Sequence, residues 1–407
     1  MKKNNRVVVV QIGARMHYAV PIILYRMKCL VLFITDYYHK GVFTKVRYLI
    51  NSNNLIKISG RQTPELENNK VVSNNWIGIL YKLRMIFASR MELRYKIFIW
   101  IGKAVNIYAL KELKKIENLF DSIYVFNTAG FELMKHYKGR KYLILEQCIA
   151  VQIVEQKLIK NENERHPDWQ NVTVDSEVQL EYIRKEIEEL YLADLILCPS
   201  TFVKDSVLEI DRNFNKKIKI VPYGVPTLVK NSKRREYSKG EVLQVLTVGN
   251  VGLRKGTPYI LEAAKHFQNE VRFTIVGDYS LVSDDKVVEL RNWVDLIGQV
   301  PRSTVSDYYN KAHVFLLPSV CEGSATVTYE AMQYGLPLIV TPNTGSIVRN
   351  GIDGFIISNS NLRELIFSIQ KLLDDPTLIS YFSKNSQERS FYASLQAYEE
   401  RLSIAIN

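Results

Sequence analysis

Residues 313–341, HVFLLPSVCEGSATVTYEAMQYGLPLIVT, are the stretch on which the fold turns. Residues 313–317 form a short apolar run that stops at Pro318 and reads as a buried strand. Residues 325–334 have helical spacing, and 337–341 form a second apolar run. Ser324 suits the N-cap of the helix, and Gly335 suits the left-handed position just past its end. Strand, helix and strand in such short order predict a parallel βαβ unit. The helix start leaves the backbone N–H groups of Gly323, Ser324, Ala325 and Thr326 without intrahelical acceptors, a setting that favours phosphate or diphosphate. Glu322 lies just before this electropositive end. Glu330 lies mid-helix, where a carboxylate can accept from the cis-diol of a ribose. Either glutamate alone reads as a cap or a solvated residue; the pair, across a loop and helix of this kind, reads as a site.

Working outward, residues 242–248 read as a strand, 258–267 as a helix, 272–276 as a strand, and 287–290 as a further, weaker strand. The loop VGNVGLRKG at 248–256 joins the first strand to the helix. Its glycines, Gly249 among them, allow a tight turn and close backbone approach, and Arg254 and Lys255 are placed to neutralise phosphate. It has neither the GxxxxGK[ST] spacing nor the GxGxxG spacing. The first half has the same rhythm: a strand at 6–12 ending at Gly13, a helix at 18–27, and strands at 29–35, 122–126, 142–145, 195–198 and 219–221. Residues 226–240 are polar and basic and read as a linker, and 386–405 read as a last helix. The predicted fold is α/β, with two Rossmann-like domains facing across a cleft. The domains are 1–225 and 226–385, and a terminal helix, 386–407, returns towards the first.

At 407 residues, 47% hydrophobic and 24% charged, the chain can build two packed cores and is not a disordered one. Its net charge of +12 is uneven. Residues 1–150 hold 25 Lys/Arg against 9 Asp/Glu, residues 151–225 hold 10 against 14, and the remainder balances. The four cysteines are widely spaced and show no metal or disulfide pattern, which fits a reducing cytoplasm. Met85 to Val105, the most apolar long stretch, is broken by five charges, so no membrane span or secretory leader is expected. No DxD, HxH or HExxH occurs, and no metal is expected. Residues 81–120 mix nine Lys/Arg with aromatic and aliphatic residues, a pattern of solvated helices or of an anionic membrane surface; no nucleic-acid motif accompanies it.

The glutamate pair with its E-x7-E spacing does not stand alone. With it come LRKG at 253–256, IVGD at 275–278, YNKAHVFLLPS ending at Ser319, GLPLIV, NTGS and GIDGFII, and upstream ADLILCPSTFV at 193–203 and KIVPYGV at 219–225. Together these resemble family-4 retaining glycosyltransferases of the GT-B fold. The likeness covers residues 190–360; over 1–150 it is limited to the opening strand and glycine loop.

The resemblance implies a nucleotide-diphosphate sugar as co-substrate, with no other cofactor, held mainly by the second domain. Arg254 and Lys255 would meet the diphosphate, and Glu322 the sugar or phosphate edge. Gly13, Gly249, Gly323, Ser324, Ala325 and Thr326 would offer backbone, Glu330 would hold the ribose, and Gly277 and Val300 would line the base. His17 and Glu146 are the acceptor-side candidates. Two positions depart from the pattern. Asn250 stands where many relatives have Arg, and Glu146-Gln147 follow the strand where many have His. The implied reaction is hexosyl transfer with retention onto a saccharide or lipid-linked acceptor, by a cytoplasmic protein able to lie peripherally on the inner membrane face. The rival readings are a sugar-nucleotide epimerase on the same scaffold and a non-catalytic nucleotide-sugar-binding subunit.

Overall fold

The computed structural model describes residues 6–39, 61–88, 90–170, 176–227 and 234–407. Two parallel sheets organise them. The first runs β1 (Val7–Gln11), β2 (Leu30–Thr35), β3 (Val71–Ser73), β4 (Ser122–Phe126), β5 (Tyr142–Glu146), β6 (Leu195–Cys198) and β7 (Ile218–Ile220), in spatial order 3-2-1-4-5-6-7. The second runs β8 (Leu243–Val248), β9 (Val271–Val276), β10 (Asp295–Gly298), β11 (Val314–Leu317), β12 (Leu338–Val340) and β13 (Gly354–Ile356), in order 10-9-8-11-12-13. Every pair is parallel. The predicted pair of Rossmann-like domains is therefore present. Each sheet reverses its winding once, between β1 and β4 and between β8 and β11, and ligands of such sheets sit beyond the strand ends at that point.

The central strands are unbroken apolar runs because helices cover both faces. Val8, Val10, Ile123, Val125, Leu143 and Leu145 pack on one side of the first sheet. Val7, Val9, Tyr124 and Ile144 belong to a cluster that continues through Val225 and Tyr398 to Phe315 and Leu338 of the second sheet. Three short strands, β3, β10 and β13, carry too few residues to stand out in the sequence. Residues 287–290, read as strand, instead belong to the helix Asp284–Arg291, and the strand is β10 just after it. Val287 and Leu290 are three apart and both buried, a helical spacing that a four-residue window cannot separate from a strand. Of the expected linker, residues 228–233 lie outside the described residues.

The last helix is two. Thr377–Ser390 ends in a short 3₁₀ turn, and Ser394 then caps Leu395–Ile406 by accepting from Ala397 N–H. This terminal helix lies against the first domain. Val225 N–H donates to the Ala393 carbonyl at 2.8 Å, Arg401 donates to Pro222 at 3.0 Å, and Lys219 donates to Ala405 at 2.7 Å. Gly224 permits the approach, since a Cβ there would press on the Ser394 carbonyl.

Two buried glutamates of the helix Glu177–Leu192 hold the cleft-side loops of the first domain. Glu189 accepts from the Thr128 and Gly130 amides; Glu186 accepts from Gln152 N–H, Gln147 and Asn127. Burial pushes their carboxyls up, to about 8 and about 7, despite those donors. A raised acid binds its proton more tightly in the folded chain, so folding loses stability as pH climbs from the unfolded value near 4.5 to about 8. Thermal unfolding should show Tm falling between pH 5 and 8, with a shallower fall in Glu189→Gln; a Tm rising over that range refutes it.

Candidate active site

The two loops that flank the second switch point, after β8 and after β11, are tied directly together. Gly256, at φ 68°, packs so closely on Pro318 that a Cβ would overlap its carbonyl oxygen. The Arg254 carbonyl accepts from Val320 N–H at 2.9 Å, and Arg254 Nε donates back to the Cys321 carbonyl at 2.9 Å. Lys255 Nζ stands 2.7 Å from Glu322, and Arg254 Nη2 stands 3.6 Å from the same carboxylate. Both cations sit on the turn Leu253–Lys255, so Arg254, Lys255 and Glu322 form one charged group, as the sequence placed them. A fourth member was not foreseen. Glu155, on the first-domain helix Gln152–Arg165, lies 3.6 Å from Arg254, and burial raises its carboxyl while Arg254 opposes the rise. Only the folded cleft brings it there; its local sequence carries no signal.

The other predicted residues divide. Gly323 presses against the first domain so tightly that a Cβ would overlap the Cys148 carbonyl, and its own carbonyl accepts from Ser200 at 2.6 Å. The amides of Gly323 and Ser324 meet no acceptor among the described residues and, with Thr326 at the helix start, remain available. The Ala325 amide is not available: it donates to Thr344 at 3.1 Å. Nor is Ser324 the cap; the helix Thr326–Gln333 starts after Ala325 without a side-chain cap, and the Ser324 hydroxyl pairs with Tyr329. Gly335 does hold the predicted left-handed position, at φ 70°. Gly249 and Gly277 serve each other, their backbones too close for a Cβ on Gly277. Val300 is half-buried against the central cluster, just before Arg302.

Gly13 also has a left-handed φ, 77°, but its amide donates to Asp36 at 2.7 Å, in the buried Asp36–Arg61 ion pair, and is not free for a ligand. Glu146 is corrected outright. It is buried, its carboxylate taken by the phenols of Tyr124 and Tyr223 and by the Cys148 thiol, so it ties strands together and offers no oxygen to an acceptor. His17 does reach the cleft, on an unusual turn. Met16, His17 and Tyr18 are successive non-glycine residues at φ 48°, 53° and 65°, each costing about 1–2 kcal/mol. Arg15, on the same turn and missed in the sequence, is exposed, with its guanidinium 5.8 Å over the Phe126 ring.

Glu330 is held on both oxygens. Arg302 donates to it at 2.9 Å and Tyr309 at 3.2 Å. Arg302 also reaches across the cleft to His17 Nε2, 2.9 Å away. Neither Arg302 nor Tyr309 was anticipated, because each lies at an unremarkable point of the helix Arg302–Lys311. Among the described residues, no cluster of three His, Cys, Asp or Glu could hold a metal ion.

Residues 229–389 match the family described as glycosyl transferases group 1. These residues, about two-fifths of the chain, are similar to a glycosyltransferase group 1 domain. The UDP-Gal:alpha-D-GlcNAc-diphosphoundecaprenol alpha-1,3-galactosyltransferase of Escherichia coli is 30% identical over 42% of the chain and 49% of that protein. The amylovoran biosynthesis glycosyltransferase AmsK of Erwinia amylovora is 24% identical over 47% and 51%. The chain thus spans about half the length of the curated relatives it matches. Anabaena HepE, solved in complex with UDP and glucose, superposes with a TM-score of 0.59 at 14% identity over 98% of each chain. The lipopolysaccharide outer core galactosyltransferase WaaB superposes at 0.61 and 13% over the same share of each. These likenesses show a two-domain GT-B fold.

Gly323 and the Cys148 carbonyl bring the two domains into direct contact, so a Cβ at 323 is expected to hold them apart. Gly323→Ala should leave Tm within about 2 °C, because the clash is relieved by opening the cleft, yet weaken nucleotide-sugar binding about tenfold or more. Unchanged binding would show that this contact does not set closure.

Proposed function

We propose that the chain is a retaining glycosyltransferase that moves a hexosyl group from a nucleotide-diphosphate sugar to a saccharide or glycolipid acceptor, in bacterial-type surface polysaccharide or glycolipid synthesis. The observation that carries this reading is the charged group at the second switch point, where Arg254, Lys255 and Glu322 stand beside the free amides of Gly323 and Ser324. Such a place suits a diphosphate: two cations and a helix start face one point, and they stabilise the negative charge that grows on the leaving phosphate. The nearby carboxylates, Glu155 and Glu322, are both engaged by these cations. This favours a route in which the leaving phosphate takes the acceptor proton on the face where the new bond forms, which retains configuration. Glu330, 12% exposed and bonded by Arg302 and Tyr309, would accept ribose hydroxyls in this reading.

Arg254→Ala and Lys255→Ala should each lower transfer by about a hundredfold or more, since such a contact contributes on the order of 2–4 kcal/mol at the transition state. Near-normal turnover in both variants would end the proposal. Nucleotide-diphosphate release only when acceptor is present separates transfer from epimerisation, and a thermal-shift panel of sugar nucleotides identifies the base.

The acceptor side suggests where the reaction takes place. Gly78 seats the helix Asn75–Ile86 on Asp36 and Tyr37, and a Cβ there would collide with both. On the opposite face Trp76, Leu80 and Leu83 are exposed and continue to Phe87, with Trp76 79% and Phe87 77% open. From 75 to 111 the chain has seven Lys/Arg and one acid. An apolar stripe ringed by cations suits the surface of an anionic bilayer, where a lipid-linked acceptor would lie. No helix among the described residues is long and apolar enough to cross a membrane. Binding to anionic but not neutral liposomes, weakened by salt and by Trp76→Ser with Phe87→Ser, is expected. Equal binding to both liposome types would make the face a plain solvated one.

A further inference from the structure

We propose that Arg302 is a stand-in for the donor's ribose, and that its displacement couples donor binding to the acceptor-side turn of the first domain. The inference rests on reading Glu330 as the ribose seat. Both oxygens of Glu330 are occupied, one by Arg302 Nη2 and one by the Tyr309 hydroxyl. A cis-diol that bonds both oxygens must displace the more loosely held donor. That donor is Arg302: its side chain is 56% exposed at the first turn of its helix, whereas Tyr309 is buried and stacked on Tyr334 with ring centroids 5.0 Å apart.

Arg302 has a second attachment. Its Nη1 lies 2.9 Å from His17 Nε2. A guanidinium can only donate, so in this pair the imidazole accepts through Nε2. His17 sits mid-way along the left-handed turn Arg15–Tyr18. Both sides of that turn are pinned: Gly13 is bonded to Asp36, and Tyr18 is buried against Phe33 and Tyr38. The segment between those pins is strained and is held on the cleft side by Arg302. When a ribose takes Arg302's place on Glu330, the arginine leaves its position between the two domains, and His17 loses its cross-cleft partner and is freed to meet an acceptor. Donor then binds first and acceptor second. An apparent affinity falls by the fraction of time the seat is blocked, so removal of the stand-in must tighten binding.

The test is calorimetric titration of UDP, GDP and ADP into the full chain and its Arg302→Ala, Arg302→Lys and Glu330→Ala variants, with circular dichroism as the fold check. The nucleotide that binds the parent best should bind Arg302→Ala about three- to tenfold more tightly and Arg302→Lys to an intermediate degree. Unchanged or weaker binding to Arg302→Ala overturns the stand-in role. If Glu330→Ala binds as tightly as the parent, the ribose reading fails instead; if none of the three nucleotides binds the parent, both fail. Hydrogen exchange of the peptide spanning residues 12–18 should quicken when the nucleotide saturates the parent and be quick beforehand in Arg302→Ala. An unaltered exchange rate in both overturns the coupling to the turn.

Discussion

The ion pair between Lys255 and Glu322 joins the two loops on which the second domain's chemistry depends. One loop follows β8 and the other follows β11, the strands between which the sheet reverses direction. Left alone, each would be a polar turn with a solvated charge. Joined, and clamped further by the Arg254 backbone and side chain on residues 320 and 321, they form a single floor with two cations beside two carboxylates. The glycines of this region serve that floor more than they serve a ligand. Gly256 permits contact with Pro318, and Gly277 permits contact with Gly249. A motif that reads as ligand recognition in the sequence is, in its first physical role, a packing solution that lets two strand ends approach.

The fold was legible wherever burial on both faces forces an apolar run. Residues 122–126 and 195–198 coincide with β4 and β6, and the second-domain strands β8, β9 and β11 are displaced by a residue at most. The edge strands β3, β10 and β13 were not, because three or four residues against a single neighbour need no distinctive composition. In the site, residues close together in the chain were readable. Arg254 and Lys255 on one loop, with Glu322 on the next, were brought together as their spacing suggested. What required the tertiary structure was everything that crosses between elements: Glu155 approaching Arg254 from the first domain, Arg302 covering Glu330, and Glu146 turned inward onto two phenols. Side-chain direction at the end of a strand depends on its neighbours across the sheet, and no local pattern reports it.

The uneven charge fits this division of labour. The second domain, balanced overall, gathers its charge at the switch point into a few directed groups. The surplus lies in the first domain, where the helix Asn75–Ile86 also leaves its apolar face uncovered. Charge spread over a surface acts at a distance and without direction, whereas Lys255 acts at one point.

The terminal helix has a mechanical consequence. The chain crosses between the domains once before the second sheet, and crosses back after it, and the two crossings lie side by side where Val225 pairs with Ser394. A single tether would let one domain swivel and twist on the other. Two adjacent tethers act like paired pins on a door: they suppress twist and leave one axis of rotation, close to Val225. Points far from that axis travel furthest, so any rotation of one domain on the other moves the cleft mouth more than it moves Tyr223, Tyr398 and their neighbours.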